Sequence, residues 1–182
     1  MARIAKASGL GKASLYHYFP EGKAQMARAV LDWVRHWFDD NVFAPLESVH
    51  PPRQRIVSML DSLAGYYAQG QCACLPALFA LTAERELFSA QIQEFHGRWL
   101  QALAQTLTDS GLARDIAQRR AHDGLERIQG ALVLARGMGD EKLFAAMAKE
   151  LPDQLLAGAG RSTLWTTRVP RLPATPAISR VG

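Results

Sequence analysis

The chain has 182 residues, an apolar fraction of 48%, a charged fraction of 21% and a formal net charge of +4. These are values of a globular protein of one or two domains that buries a core without disulfide or metal staples. They argue against a membrane span, since no apolar run approaches about 20 residues, and we expect no secretory leader. Two cysteines make no disulfide framework, which favours the cytoplasm.

The charge is unevenly distributed along the chain. Residues 1–30 carry five basic side chains and one acid, and residues 161–182 carry four arginines and no acid. The intervening stretch is acidic, with 12 basic and 16 acidic side chains. A basic N-terminal segment on a mildly acidic body suggests a segment that meets a polyanion. Five basic residues in thirty are also compatible with an ordinary solvated surface.

Two short helices are predicted at the N-terminus. The sequence Ser8-Gly9-Leu10-Gly11 interrupts a helical pattern, and Gly9 can adopt the positive φ that ends a helix. A second helix is predicted from Lys12 to Phe19, because Pro20 cannot continue it. Two short helices joined by a glycine-bearing turn are typical of a helix-turn-helix.

Longer helices follow, and their apolar residues recur at helical spacing. The first is predicted over residues 21–42, with a stripe of Ala27, Leu31, Val34 and Phe38 and a proline-marked connection after it. Further helices are predicted over residues 53–69, 76–87, 89–110, 113–137 and from 140 onward. The stripe of the first of these comprises Ile56, Leu60, Leu63 and Tyr67. We expect Ser89 and Asp140 to be N-caps and Pro152 to kink or break the last helix. No segment shows strand alternation, so the predicted fold class is all-α.

The stretch from Ile4 to Leu31, IAKASGLGKASLYHYFPEGKAQMARAVL, resembles the DNA-binding head of TetR-family transcriptional repressors. It contains the I-A-x-x-x-G core of the positioning helix, the K-x-S-L-Y-x-[HY]-F recognition helix and the FP-x-GK entry into the next helix. The FPEGK form is similar to the LmrA/YxaF-type branch. Further along, GQCACLPALFAL resembles that branch's pocket region, and LERIQGALVLARGMGDEKLF resembles its dimer-forming helix pair.

The resemblance implies three regions. Residues 1–31 are a helix-turn-helix head, residues 32–157 a helical domain for ligand binding and dimerisation, and residues 158–182 a basic, proline-rich tail that we expect to be disordered. The family has one more helix before this motif, so the head is N-terminally incomplete as given. We therefore expect apolar side chains such as Ile4, Leu15 and Phe19 to lack a packing partner and operator binding to be weakened. Whether the true start lies upstream of Met1 stays open.

The recognition helix of a helix-turn-helix lies in the major groove, with its N-terminal residues nearest the bases. Lys12 can donate to guanine acceptors or to a phosphate, and Lys23 can hold a phosphate at the start of the following helix. Taken singly, His17 is more typical of a plain surface and Tyr16 of half-buried packing; the arrangement is what favours DNA contact. The predicted DNA-binding residues are Lys12, Ser14, Tyr16, His17 and Lys23.

The helical body is expected to be a receptor for a small lipophilic or aromatic molecule, because pockets in helical bundles are mostly apolar with a few polar groups. An aromatic stripe at helical spacing is also typical of an ordinary core, and a buried, hydrogen-bonded histidine is the alternative for His96. The candidate ligand-binding residues are Met59, Tyr66, Phe79, Phe88, Phe95, His96 and Trp99. The candidate dimer-interface residues are Ala131, Leu132, Leu134, Ala135, Phe144 and Met147.

The sequence favours neither a metal site nor an enzyme. Cys72 and Cys74 supply only two ligands, so we expect core residues and no metal; a redox sensor would need an exposed thiol with a lowered pKa. We find no glycine-rich phosphate loop, G-x-S-x-G, H-E-x-x-H or paired carboxylates, and expect neither an enzyme nor a cofactor.

The leading hypothesis is a homodimeric, cytoplasmic repressor that a small ligand releases from double-stranded operator DNA. The alternative is a ligand-binding and dimerisation module without DNA-binding competence because the head is truncated.

Overall fold

The computed structural model describes residues 2–159, and at Ala2, Arg3, Lys12, Gln69, Ala83 and Glu84 it describes the backbone. Within this range the chain forms helices joined by short turns, and no residue lies in a strand. In chain order the α-helices are α1 (Ala2–Ser8), α2 (Lys12–Tyr18), α3 (Lys23–Phe38), α4 (Ala44–Glu47), α5 (Pro52–Tyr66), α6 (Leu75–Ala80), α7 (Ser89–Asp109), α8 (Arg114–Met138) and α9 (Lys142–Leu155). The predicted all-α class is confirmed. The predicted tail falls outside the described residues from position 160.

Glycine turns shape the head, which comprises α1, α2 and the start of α3. Gly9 has a φ of +69° and follows α1, and the hydroxyl of Ser8 accepts a hydrogen bond from the Leu10 N–H at 3.4 Å. Gly22 has a φ of +71° and precedes α3. Leu15 of α2 is only 3% exposed. The sequence thus predicted the turn at Gly9 and the end of α2 before Pro20 correctly.

A π-helical turn, Asp39–Phe43, joins α3 to α4. The predicted connection, marked by Pro45, Pro51 and Pro52, is found at residues 48–51, directly before α5. It is wrong at Pro45, because the backbone stays helical through this proline to Glu47. Proline lacks an N–H and its ring crowds the preceding turn of an α-helix. A π turn is wider, with the Ala44 N–H bonded to the Asp39 carbonyl, and it accommodates the proline.

The middle helices follow the predicted stripes but differ at their ends. Ile56, Leu60, Leu63 and Tyr67 are buried as expected. The helix predicted over residues 76–87 divides into α6 and a 3₁₀ segment, Ala83–Phe88, because the Thr82 hydroxyl bonds back to the Phe79 carbonyl at 3.1 Å. Ser89 is the first residue of α7 rather than its N-cap, and its hydroxyl donates to the Glu86 carbonyl.

The last two helices pack against each other as an antiparallel pair. Gly139, in the left-handed conformation, ends α8. The N-cap of α9 is Glu141 and not the predicted Asp140, although an Asp140 carboxylate oxygen accepts the Lys142 N–H at 3.0 Å. The predicted break at Pro152 does not occur, since α9 runs through it to Leu155. Leu151 and Leu155 are both buried and anchor this last turn in the core.

One large core joins α3 to α9, and α3 connects that core to the head. Val34 and Phe38, near the end of α3, are buried with Trp99 of α7 and Phe144 of α9. A second, smaller cluster joins Leu31 to Phe88 and Ile92. The position of the head therefore depends on the direction of α3. None of the described helices is long and apolar enough to cross a membrane.

Candidate nucleic-acid interface and ligand cavities

Helix α2 has a buried side and an exposed side. Leu15 is buried and Phe19, just after the helix, is partly buried, so these two residues lie on the packed side of α2. Ser14, Tyr16 and His17 are exposed, Tyr16 by 50%. Lys12 is the first residue of this helix. The structure thus leaves three of the predicted DNA contacts, Ser14, Tyr16 and His17, open to a partner along this short helix.

The start of α3 lies beside this exposed set. Lys23 is its first residue and is exposed, and Gly22 before it supplies no side-chain cap. The first N–H groups of a helix have no partner within the helix. An ammonium group and unpaired N–H groups at one helix end form a suitable phosphate-binding position. Nearby, Glu21 pairs with Arg28, so this acid is neutralised by a basic neighbour.

An open apolar groove separates the head from the body; we call it the junction groove. Its volume is about 1040 Å³. The residues that define it include Ile4, Leu15, Val30, Trp33, Phe79 and Phe88. Ile4 and Leu10, on the head side, are 41% and 43% exposed. Ile4 is thus incompletely packed, as expected, whereas Leu15 is buried and Phe19 partly buried, against that expectation.

A smaller cleft lies between α3 and α7, and we call it the α3–α7 cleft. Its volume is about 170 Å³. Leu31, Ile92 and Phe95 contribute apolar walls, and Asp32, Arg35, Glu94 and Arg98 contribute charged groups at its margin. The cleft therefore combines an apolar floor with polar groups that can orient a ligand.

The predicted ligand-binding residues do not converge on one cavity. Phe79 and Phe88 line the junction groove, and Phe95 lines the α3–α7 cleft. Met59 and Trp99 are fully buried, with the indole N–H donating to the Met59 sulfur at 3.4 Å. These two residues pack directly on each other, so their assignment as pocket lining is corrected to core. Tyr66 packs outward against Trp37, with ring centroids 4.0 Å apart.

His96, Cys72 and Cys74 differ in how far they are buried. His96 is half-buried, burial lowers its pKa, and its Nδ1 donates to the Ile92 carbonyl of its own helix at 2.9 Å. Cys74 is buried as expected, but Cys72 is exposed, which corrects its assignment to the core. Burial and the adjacent Cys74 thiol raise the pKa of Tyr67.

Three of the six predicted dimer-interface residues turn inward. Leu132, Ala135 and Phe144 are at most 1% exposed and belong to the core of the chain itself, so they have no surface to offer a second copy. Ala131 and Met147 are half-buried against that core. Leu134 is 56% exposed and lies beside residues that sequence reasoning missed: Val133 and Met138, each 70% exposed. Assigning the residues of α8 to helix faces by helical periodicity would have separated the buried residues from the exposed ones.

Comparisons with known proteins agree with this arrangement. Residues 52–150, just over half the chain, match the family described as "Transcriptional regulator LmrA/YxaF-like, C-terminal domain", and residues 1–30 match "Bacterial regulatory proteins, tetR family". Two relatives come from Bacillus subtilis strain 168. The HTH-type transcriptional regulator YxaF is 21% identical and the alignment covers 82% of this chain and 81% of that protein. The corresponding values for LmrA are 22%, 84% and 84%.

A solved structure supports the fold. The TetR transcriptional regulator from Legionella pneumophila superposes with a TM-score of 0.66 at 23% identity, covering 84% of each chain. The domain matches indicate a transcriptional regulator. The chain belongs to the TetR family of bacterial transcriptional regulators, within its LmrA/YxaF-like branch.

Proposed function

We propose that the protein is a homodimeric, ligand-responsive repressor that binds double-stranded operator DNA in the cytoplasm and is released by a small lipophilic or aromatic molecule. The observation that carries this proposal is the two-sided character of α2. Leu15 anchors the helix while Ser14, Tyr16 and His17 stay exposed beside Lys23. A short helix held in this way presents its polar side chains to a partner, as the recognition helix of a helix-turn-helix does.

In this proposal α2 lies in the major groove, and its first residues, Lys12 and Ser14, face base edges. Tyr16 and His17, further along, and Lys23 on α3 contact phosphates on the flanking backbone. Phosphate contacts fix the register of the helix, and base contacts supply the sequence preference. The exposed groups are of the types that make both kinds of contact.

The α3–α7 cleft is the proposed ligand site. At about 170 Å³ it is smaller than a typical ligand pocket, so a drug-sized molecule can enter only if α3 and α7 move apart. Because α3 carries the head, a ligand that prefers the open form shifts the population toward a different head position. Two heads that are wrongly spaced for successive major grooves bind the operator less tightly.

The outer face of α8 is the proposed dimer interface, a function that is typical of the family. Val133, Leu134 and Met138 form an exposed apolar stripe there. Gly130 and Gly137 lie on the same stripe at helical spacing, with open space around them. A contiguous exposed apolar patch is typical of a protein–protein contact.

To test the proposed DNA binding, the purified protein selects duplexes from a random DNA library. The affinity for the selected duplexes is then measured at several salt concentrations. Lys23→Ala should weaken binding to all sequences about equally and reduce the salt slope by about one unit per protomer, because one phosphate contact is lost. Lys149→Ala, an exposed lysine of α9 in the body, is the matched control. An unchanged slope in Lys23→Ala would remove Lys23 from the interface.

The ligand half is tested by screening lipophilic compounds for thermal stabilisation of the protein. Compounds that bind should also reduce operator affinity, and Ile92→Phe, which fills the α3–α7 cleft, should abolish their stabilising effect. Ile116→Phe, at a half-buried position of α8, is the control. Ligands that stabilise Ile92→Phe as well as the wild type bind elsewhere.

One observation favours the alternative function, a ligand-binding and dimerisation module without DNA binding. The junction groove leaves Ile4 and Leu10 of the head exposed. The head therefore has less apolar packing than it needs to hold the recognition helix at a fixed angle. The library selection separates the two functions. Enrichment of a defined sequence supports the repressor, and weak, salt-sensitive binding without enrichment supports the alternative.

A further inference from the structure

The direction of α3 depends on a helical turn that lacks regular hydrogen bonding. The π turn Asp39–Phe43 is followed at once by Pro45, which has no N–H to continue the ladder. Such turns are the usual sites of helix bending. Because this turn departs from α-helical bonding and Pro45 supplies no N–H after it, side-chain contacts across the turn contribute to the angle between α3 and the body.

One side chain, Arg98 of α7, contacts the turn at both ends and the short helix after it. Its guanidinium bonds to the carboxylate of Asp39, the first residue of the turn. It lies over the ring of Phe43, the last residue, at 4.1 Å from the centroid. It also approaches Glu47, at the end of α4, at 3.7 Å. A planar guanidinium can pair and stack simultaneously, which an ammonium cannot reproduce.

A small change of angle at this turn is amplified at the head. Helix α3 runs from Lys23 to Phe38, directly before Asp39, and its 16 residues span about 24 Å. A rotation of about 10° at the turn therefore moves the head by about 4 Å, and by up to about twice that between two heads of a dimer. Recognition of two half-sites one helical turn apart does not tolerate such an error.

We propose that Arg98 is a positioning residue that sets the angle of α3, and with it the head position that fits the operator. Arg98 also borders the α3–α7 cleft, so a molecule entering the cleft meets the same guanidinium. The effect on DNA affinity rests on the proposed function; the effect on head position does not.

The test measures the distance between head and body within one chain. Fluorophores are attached to cysteines introduced at Lys6 of α1 and Lys149 of α9, in a full-length Cys72→Ser background, because Cys72 is exposed. Labelled protein is mixed with excess unlabelled protein so that each assembly holds one labelled chain. Arg98→Met, which keeps an apolar stem but no charge, should shift or broaden the distance distribution by about 4 Å. Asp39→Asn should act in the same direction, and the double variant should add little to Arg98→Met.

Arg53→Met is the matched control, since Arg53 forms an exposed ion pair with Asp153 between α5 and α9, away from α3. It should leave the distance unchanged. Specific operator affinity should fall about five- to tenfold in Arg98→Met, and non-specific affinity and melting temperature should match those of Arg53→Met. Distances in Arg98→Met and Asp39→Asn that equal those of the wild type would overturn the inference. Absence of sequence-specific binding by the wild type would overturn the proposed function and leave the distance result standing.

Discussion

The guanidinium of Arg55, on α5, donates a hydrogen bond to a carboxylate oxygen of Asp109, at the end of α7, over 2.8 Å. Arg55 is only 7% exposed and also donates to the Leu46 carbonyl at 2.9 Å. This one side chain therefore joins α4, α5 and α7 at the base of the bundle. A buried guanidinium is tolerated in a core only while its hydrogen-bond partners remain.

Asp109→Ala should destabilise the protein by about 2 kcal/mol in chemical denaturation, because it leaves Arg55 with an unpaired buried charge. The value is below that of a fully buried pair because the Asp109 side chain is 37% exposed. Asp115→Ala is the control. It removes an exposed pair with Arg119 on α8 and should cost less than about 0.5 kcal/mol. Equal effects of the two substitutions would contradict a special role for Arg55.

The same pair predicts a pH dependence at acidic pH. Hydrogen bonds from Arg55 and Gln105 lower the pKa of Asp109 below its ordinary value of 3.8. A carboxylate with a lowered folded pKa stabilises the fold fully above the ordinary pKa, and this contribution is lost as the pH falls through the folded pKa. Below about pH 4 the wild type should therefore lose stability more steeply than Asp109→Asn in urea titrations.

Gly70→Ala should be among the most destabilising single-methyl changes in the chain. Gly70 has a φ of +94°, and an added Cβ would lie 2.6 Å from the Ala135 Cβ and 3.2 Å from the Phe144 Cβ. Backbone strain and overlap with atoms that cannot move aside predict a loss of about 3 kcal/mol. Gly97→Ala, with open space on a regular helix, should instead stabilise by about 0.5–1 kcal/mol. Similar melting temperatures of the two variants would rule out close packing of this loop on α8 and α9.

Much of the fold was predictable because helical periodicity and glycine are strong local signals. The stripe ending in Tyr67 and the turn at Gly9 follow directly from residue spacing and backbone freedom. The π turn before Pro45 was not predictable, because a proline normally marks the end of a helix and only packing against α7 shows that the chain continues. The same holds for Pro152, which buried neighbours retain within α9.

The candidate site was less predictable than the fold. An aromatic stripe does not distinguish a cavity wall from a filled core, and Trp99 proved to fill the core. Arg98 gave no sequence signal, because its partners Asp39, Phe43 and Glu47 lie more than fifty residues earlier. The exposed side chains of α2 were easier to predict, since in a short helix with one buried leucine the neighbouring side chains point to solvent.

His96→Gln should flatten the pH dependence of stability between pH 7.5 and 5.5. Burial lowers the folded pKa of His96, so below its ordinary value of 6.5 the unfolded chain binds more protons than the folded chain. Stability of the wild type therefore falls as the pH decreases through this range. His36→Gln is a matched control, because His36 makes the same bond to a carbonyl four residues earlier, at 2.7 Å, but is exposed. If His36→Gln flattened the pH profile of stability as much as His96→Gln does, burial of His96 would not be the cause of the pH dependence.

Leu134→Arg should convert a dimer into a monomer, as measured by sedimentation equilibrium at micromolar concentration. Leu134 is 56% exposed and lies between Val133 and Met138 on the outer stripe of α8. In a two-fold interface each substitution occurs twice, and an unpaired charge on each side opposes burial of the apolar stripe. The dissociation constant should rise at least about a hundredfold, while the melting temperature of the protomer changes little.

Two controls make the position of this interface falsifiable. Val49→Arg places the same charge at a fully exposed site after α4 and should leave the dimer intact. Leu132→Ala, at a residue 1% exposed, should lower the stability of each protomer by about 2–5 kcal/mol, because its side chain fills the core. A wild-type monomer at micromolar concentration would refute dimerisation altogether. A dimer that withstands Leu134→Arg would show that the second copy binds a different surface.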